Sequence, residues 1–215
     1  MFMTRAALKP SSLGALLAHA ASNDGAHQLI WTLFPDPDAE RDFLFRSTGE
    51  NAFIIVSKRP PEDAHALWPL DTKVYTPDLK TGDRYGIVLR AHPPMSAKTS
   101  GARRGPRVDA VMHAKRPRAE RSVPPPDTIA ETAALDWLLR RGARLGAAFD
   151  ADRCAAAGYQ TNRINRKGAD PIQFASVEYE GALTVQDADL FRSALIKGIG
   201  KAKAFGCGLL LIRPL

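Results

Sequence analysis

The residues whose types and spacing best suit chemistry include the last eighteen positions, Gly198-Ile-Gly-Lys-Ala-Lys-Ala-Phe-Gly-Cys-Gly-Leu-Leu-Leu-Ile-Arg-Pro-Leu215. Gly198, Gly200, Gly206 and Gly208 remove the side chains that would hold another surface away, and Lys201 and Lys203 add ammonium groups. Such a segment predicts either an anionic partner or a close-packed turn that caps the last helix and leads into a buried strand. Two phosphate loops are excluded. A Walker A loop needs glycine where Leu195 stands and a hydroxyl where Ala202 stands. A dinucleotide fingerprint opened by Gly198 needs glycine or alanine in place of Lys203, and it follows a strand rather than a helix. No nucleotide cofactor is expected.

His27 is the second candidate. In a helix at about 100° per residue, Ala26, Leu29, Ile30 and Leu33 form one apolar stripe, and His27 falls roughly 110° from its centre beside Trp31 and Phe34. A histidine at that edge keeps an accessible ring on a helix held by the core. Imidazole titrates near neutrality, which suits proton transfer. Positions 93–126 carry eight basic residues, Lys98, Arg103, Arg104, Arg107, Lys115, Arg116, Arg118 and Arg121, against Asp109 and Glu120. A further basic turn holds Arg163, Arg166 and Lys167. Both are candidate phosphate grips, and solvated surface is the plainer reading of each.

The elements that position these groups follow from periodicity and punctuation. A first strand is predicted over 1–9, then a helix capped at Ser22 or Asn23 and stopped by Pro35-Asp-Pro37. Strands at 42–46 and 52–57 make a hairpin, a short helix is expected within 60–70, and a fourth strand runs 84–91. Strand, helix, strand, strand, helix, strand is the order of a ferredoxin-like unit. After the basic, proline-rich stretch, read as a connection between domains, Thr128 and Glu131 form a capping box for a helix carrying Ala134, Trp137 and Leu138 and ended by Gly142. Strands follow at 146–154, 159–164 and 172–185. Asp187 caps a helix to Lys197 with Leu190, Ala194 and Leu195 on its apolar stripe, and the last strand is 207–212. The fold class expected is α+β, two tandem ferredoxin-like (RRM-like) domains with antiparallel sheets. The divisions are 1–92, 93–126 and 127–215.

Two anchors at opposite ends of the chain carry a family resemblance. The glycine-rich tail, through Leu-Leu-Leu-Ile-Arg-Pro-Leu215, resembles the C-terminal signature of the CRISPR repeat endoribonucleases of the CasE type, RAMP-superfamily proteins of the type I-E Cascade complex. His27-x-x-x-Trp31-x-Leu33-Phe34-Pro35, followed by Arg41-Asp42-Phe43-Leu44-Phe45, resembles the family's N-terminal helix and second strand. The resemblance implies that His27 is the catalytic residue and that the reaction is metal-independent RNA cleavage. The 2′-OH would attack the adjacent phosphorus, leaving a 2′,3′-cyclic phosphate and a 5′-OH. The implied substrate is the stem-loop of CRISPR repeat RNA, cut at the 3′ base of the hairpin and kept as crRNA with other Cascade subunits as partners. One departure is Asp24, where family members often carry tyrosine one turn before the histidine. Asp24, Tyr159, Tyr179 or a lysine is left open as the second proton-transfer group. RNA contacts are expected at Arg103, Arg104, Arg107, Lys115, Arg116, Arg118, Arg163, Arg166, Lys167, Lys201 and Lys203.

Composition agrees with a polyanionic partner, for the 215 residues carry a net charge of +7. Cys154 and Cys207 form no closely spaced pair, and no histidine pair has metal-ligand spacing, so neither a metal nor a disulfide framework is expected. No apolar run reaches the length of a membrane span, and a cytoplasmic protein is expected. The rival reading is a non-catalytic RNA-binding RAMP subunit of the same fold, and a third is a DNA-binding protein.

Overall fold

The computed structural model describes residues 1–9, 25–35, 40–49, 51–96, 107–109, 126–166 and 169–215. The first sheet holds β1 (Phe2–Ala7), β2 (Phe43–Ser47), β3 (Ala52–Ser57) and β4 (Leu70–Val74), in the order β2-β3-β1-β4, with every pair antiparallel. Helix α1 (Gly25–Trp31) covers one face. Its Leu29 and Ile30, with Leu33 and Phe34 just beyond, form a core with Phe43, Phe45, Phe53, Ile55 and Trp68. The other face is covered too, since Leu44 and Val56 pack on Leu209 near the chain's end. Burial on both faces is why β2 and β3 read as continuous apolar runs instead of alternating ones.

The second sheet is built from β5 (Arg84–Ala91), β8 (Ala147–Phe149), β9 (Ala155–Arg166), β10 (Ala169–Val185) and β11 (Leu210–Pro214). Its order is β11-β5-β10-β8, and β9 also pairs with β10. Two short strands, β6 (Pro94–Ser96) and β7 (Arg107–Asp109), pair with each other. Helices α2 (Pro126–Leu139), α3 (Gly142–Leu145) and α4 (Ala188–Lys197) complete the unit. Each sheet places its first strand beside the motif's third and last strands, β1 between β3 and β4 and β5 between β10 and β11, the ferredoxin-like order. The fold is thus α+β with two tandem ferredoxin-like units.

Strand pairing corrects several expectations. Arg84–Ala91 does not close the first sheet; it pairs with β10 and β11 and opens the second unit. The first sheet is closed instead by Leu70–Val74, whose mostly exposed Leu-Asp-Thr-Lys-Val sequence gives little hydrophobic signal. The basic stretch therefore runs between β5 and α2, two elements of one unit, rather than between two units. No helix forms over 60–70. The Asp63 carboxylate accepts hydrogen bonds from the backbone N–H groups of Leu67 and Trp68, at 3.0 and 2.7 Å, and closes a loop that buries Trp68. Helix α2 begins at Pro126, a residue preorganised for a first helical position, so Thr128 lies inside its first turn. It ends at Leu139, and Gly142 opens α3 rather than ending α2. The predicted strand over 146–154 is only Ala147–Phe149, because Asp150 turns the chain by accepting from the Asp152 and Arg153 N–H groups. The final strand starts at Leu210, three residues later than expected.

Helix α4 is capped as read, Asp187 accepting from the N–H groups of Asp189 and Leu190. Its buried stripe is Phe191, Ala194 and Leu195, while Leu190 is 48% exposed. Both cysteines are free and buried. Burial pushes the Cys207 thiol up to about 11 and raises that of Cys154. Neither is therefore expected to react with iodoacetamide at pH 8 while the protein is folded, and both react after denaturation, as intact-mass measurement would show. The unfolded chain releases the Cys207 proton near its ordinary 9.0 and the folded chain holds it to about 11, so this contribution to stability is full below that window and falls as pH rises through it.

Candidate RNA-processing site

His27 sits in the first turns of α1, half-buried, at the rim of the first core. One helical turn later the Trp31 indole N–H donates to His27 Nε2 at 2.9 Å. Nε2 is therefore an acceptor here, which places the proton of the neutral ring on Nδ1. Phe43 at the start of β2 fixes both rings, its centroid 5.1 Å from Trp31 and 6.5 Å from His27, and Phe34 stacks on Phe43 at 4.6 Å. The aromatic shelf ties the histidine's orientation to the sheet.

The glycine-rich tail forms the seam between the two units. Gly198, Gly200, Gly206 and Gly208 all have positive φ, as does Ala202. A Cβ at Gly198 would meet the Leu44 side chain at 2.9 Å, one at Gly206 would meet Phe45 at 3.3 Å, and one at Gly200 would meet the His92 carbonyl at 3.1 Å. The loop is thus wedged between β2 of the first unit and the end of β5 of the second. Its 3-10 turn, Lys203–Phe205, packs against α1 and β2. The close-packed reading holds here, and the same packing brings Lys203 to the helix that bears His27. Lys201 is exposed where its backbone bridges His92. The Lys203 ammonium donates to the Lys197 carbonyl at the end of α4, and burial, followed by the charge of Arg41, lowers its pKa.

A second tie across the seam joins Arg46 on β2 to Glu178 on β10 at 2.8 Å, with Arg90 on β5 at 3.7 Å from the same carboxylate. Arg90 also donates to the Ser176 hydroxyl at 3.0 Å. Beyond the Val177–Ala91 pair the described part of β10 pairs with β9, and the ribbon they form packs through Ile164 and Phe174 against Cys207 and Phe205 of the glycine loop. Arg163 is exposed on this ribbon and Arg166 lies near its tip. Lys167 lies outside the described residues, as do Arg103, Arg104, Lys115, Arg116 and Arg118. Arg107 stands on β7, paired with Ser96.

Among candidates for the second proton-transfer group, Tyr179 is removed by its place in the second core. It is fully buried and its hydroxyl donates to the Ala134 carbonyl at 3.3 Å. Tyr159 is half-buried against the same core, and Asp24 lies outside the described residues. No cluster of metal-ligating side chains occurs among the described residues, and none of their helices is long and apolar enough to cross a membrane. Sequence reasoning did not single out the Trp31 bond, although His27-x-x-x-Trp31 is the i, i+4 spacing that predicts it. Nor did it give a role to Arg41, and the Arg46–Glu178 tie spans 132 positions with no local signal.

A family model described as CRISPR associated protein matches residues 1–214. The chain belongs to this CRISPR-associated family. Within it, the "CRISPR system Cascade subunit CasE" of Escherichia coli (strain K12) is 31% identical over 208 residues, covering 93% of this chain and 97% of that protein, which places the chain in the CasE type. Thermus thermophilus Cse3, solved bound to an RNA representing a pre-cleavage complex, superposes with a TM-score of 0.73 at 22% identity, covering 99% of this chain and 98% of that one. Cas6e from Escherichia coli K-12 gives a TM-score of 0.67 at 23% identity with both chains fully covered. The CasE-type fold therefore extends over the whole chain, its N-terminal helix and C-terminal glycine loop meeting at one seam.

Proposed function

We propose that the chain is a metal-independent endoribonuclease that binds the stem-loop of CRISPR repeat RNA and cuts at the 3′ base of the hairpin. The observation that carries this reading is His27 on the seam, oriented by Trp31 and Phe43, in a chain 31% identical to CasE along nearly its full length. In the reaction the 2′-OH loses its proton as its oxygen bonds to phosphorus, and the P–O5′ bond breaks as the 5′-oxygen gains a proton. The products are a 2′,3′-cyclic phosphate and a 5′-OH. His27 moves one of these protons, and cations offset the charge that gathers on the phosphate oxygens.

A-form stems hide their base edges in a deep groove, so the grip on the stem falls to phosphate contacts and shape. The β9–β10 ribbon with Arg163, Arg166 and Lys167 supplies one grip, and Arg103, Arg104, Arg107, Lys115, Arg116 and Arg118 of the basic stretch supply another, with Lys201 and Lys203 at the loop. The hairpin then stays bound as crRNA alongside other Cascade subunits, in the cytoplasm. The test is incubation of purified protein with repeat RNA in EDTA. A single cut with a cyclic-phosphate end is expected; tight binding with no cut would instead make this a structural RNA-binding subunit. Preference for folded RNA over duplex DNA is read at matched salt, because phosphate contacts make both affinities salt-dependent.

A further inference from the structure

Arg41 lies two residues ahead of Phe43, the ring that packs beside His27. It is half-buried, burial lowers its pKa, and its guanidinium makes no hydrogen bond or ion pair among the described residues. Two carboxylates of the described residues are committed elsewhere. Asp42 pairs with Arg59 at 3.0 Å, and Glu178 pairs with Arg46 at 2.8 Å. Lys203 reaches the same region from the second unit, since its 3-10 turn packs against both α1 and β2. Its ammonium is anchored on the Lys197 carbonyl and keeps two further N–H donors. The two cations are close enough that Arg41's charge acts on Lys203. Neither of these half-buried cations is in an ion pair among the described residues, and an anion held by both relieves their mutual repulsion and their lost hydration.

We propose that Arg41 and Lys203 form a phosphate subsite beside His27, holding the phosphate under attack. This rests on the reading of His27 as the proton-transfer residue. A guanidinium fork from one unit and an ammonium from the other suit the two non-bridging oxygens, which gain charge as the 2′-oxygen bonds to phosphorus. The arrangement also gives the close-packed glycine loop a chemical purpose: it carries a cation from the second unit to a histidine on the first. Arg41 is thereby set apart from the stem-gripping residues. Its effect falls on the reacting phosphate and not on overall affinity.

The test compares two repeat hairpins that differ only at the 3′ end, one carrying a 3′-phosphate and one a 3′-hydroxyl, and measures single-turnover cleavage in parallel. Wild-type protein is expected to bind the phosphate-ended hairpin about tenfold more tightly. Arg41→Gln and Lys203→Met each remove most of that preference and slow cleavage by about 100-fold, and Arg41→Gln retains the wild-type affinity for the hydroxyl-ended hairpin. Arg41→Lys keeps the charge without the fork and restores part of both. If wild type shows no preference for the phosphate end, the inference is wrong whether or not the RNA is cut. Preference without cleavage upholds the subsite and overturns the catalytic reading. Cleavage at the wild-type rate by Arg41→Gln, with the preference intact, overturns the subsite and leaves the catalytic reading standing. Thermal melting checks that each variant folds, and if Arg41→Gln does not, Arg41→Lys and Lys203→Met decide the matter.

Discussion

His27→Ala is expected to slow single-turnover cleavage of the repeat hairpin by about 10²- to 10⁴-fold, the range typical of a positioned proton-transfer group. Affinity for the hairpin should change little, because phosphate contacts dominate such binding and the proposed function assigns them to basic residues away from His27. Stability should change little as well. The ring is half-buried, and its loss leaves the Trp31 N–H without its imidazole acceptor at a site water can reach, a cost of about 1 kcal/mol. The measurements are the cleavage rate at saturating protein, the dissociation constant for a hairpin whose reactive 2′-OH is replaced by hydrogen, and a thermal melt. A variant that cleaves at the wild-type rate would show that the proton moves elsewhere. Loss of cleavage and of binding together, with the fold intact, would make His27 a binding residue.

The placement of His27 was legible from the helical periodicity of its own segment, and its role was read from the family resemblance. The apolar stripe Leu29, Ile30 and Leu33 is buried as the wheel predicts, and His27 takes the half-buried rim. The Asp187 cap was legible for a local reason too, since its carboxylate serves N–H groups two and three residues away. What local pattern could not supply was partnership. Arg84–Ala91 is as good a strand for one sheet as for the other, and only its pairing with Val177 through Thr184 decides the matter. Leu190 fits the helical stripe by spacing, yet the surface that α4 covers selects Phe191 in its place. Arg41 was visible inside a motif but had no role until the chain's far end arrived beside it. The proposed site draws on both units, and a one-dimensional reading named segments from each without the contact between them.

Gly208→Ala tests whether that contact depends on close approach of backbone. Gly208 has φ +91°, and a Cβ there would meet the Ile199 carbonyl oxygen at 2.8 Å and the Lys203 side chain at 3.3 Å. The carbonyl cannot easily retreat, because Ile199 is buried and its N–H donates to the Gly208 carbonyl at 2.8 Å, while the Gly208 N–H is held by the Arg90 carbonyl at 2.7 Å. Gly82 supplies the control. Its φ is +94°, nearly the same, but a Cβ there meets nothing within 4 Å. Gly82→Ala therefore carries only the conformational cost, about 1 kcal/mol, whereas Gly208→Ala adds the clash and should cost roughly 2–4 kcal/mol. For a chain of this size that is a fall of roughly 5–12 °C in melting temperature. Below its melting temperature the Gly208 variant should also cleave more slowly than the Gly82 variant, since displacement of the loop moves Lys203 away from α1. Equal melting temperatures for the two variants would mean that the loop yields freely, and its glycines would then serve conformation alone rather than the joining of the two units.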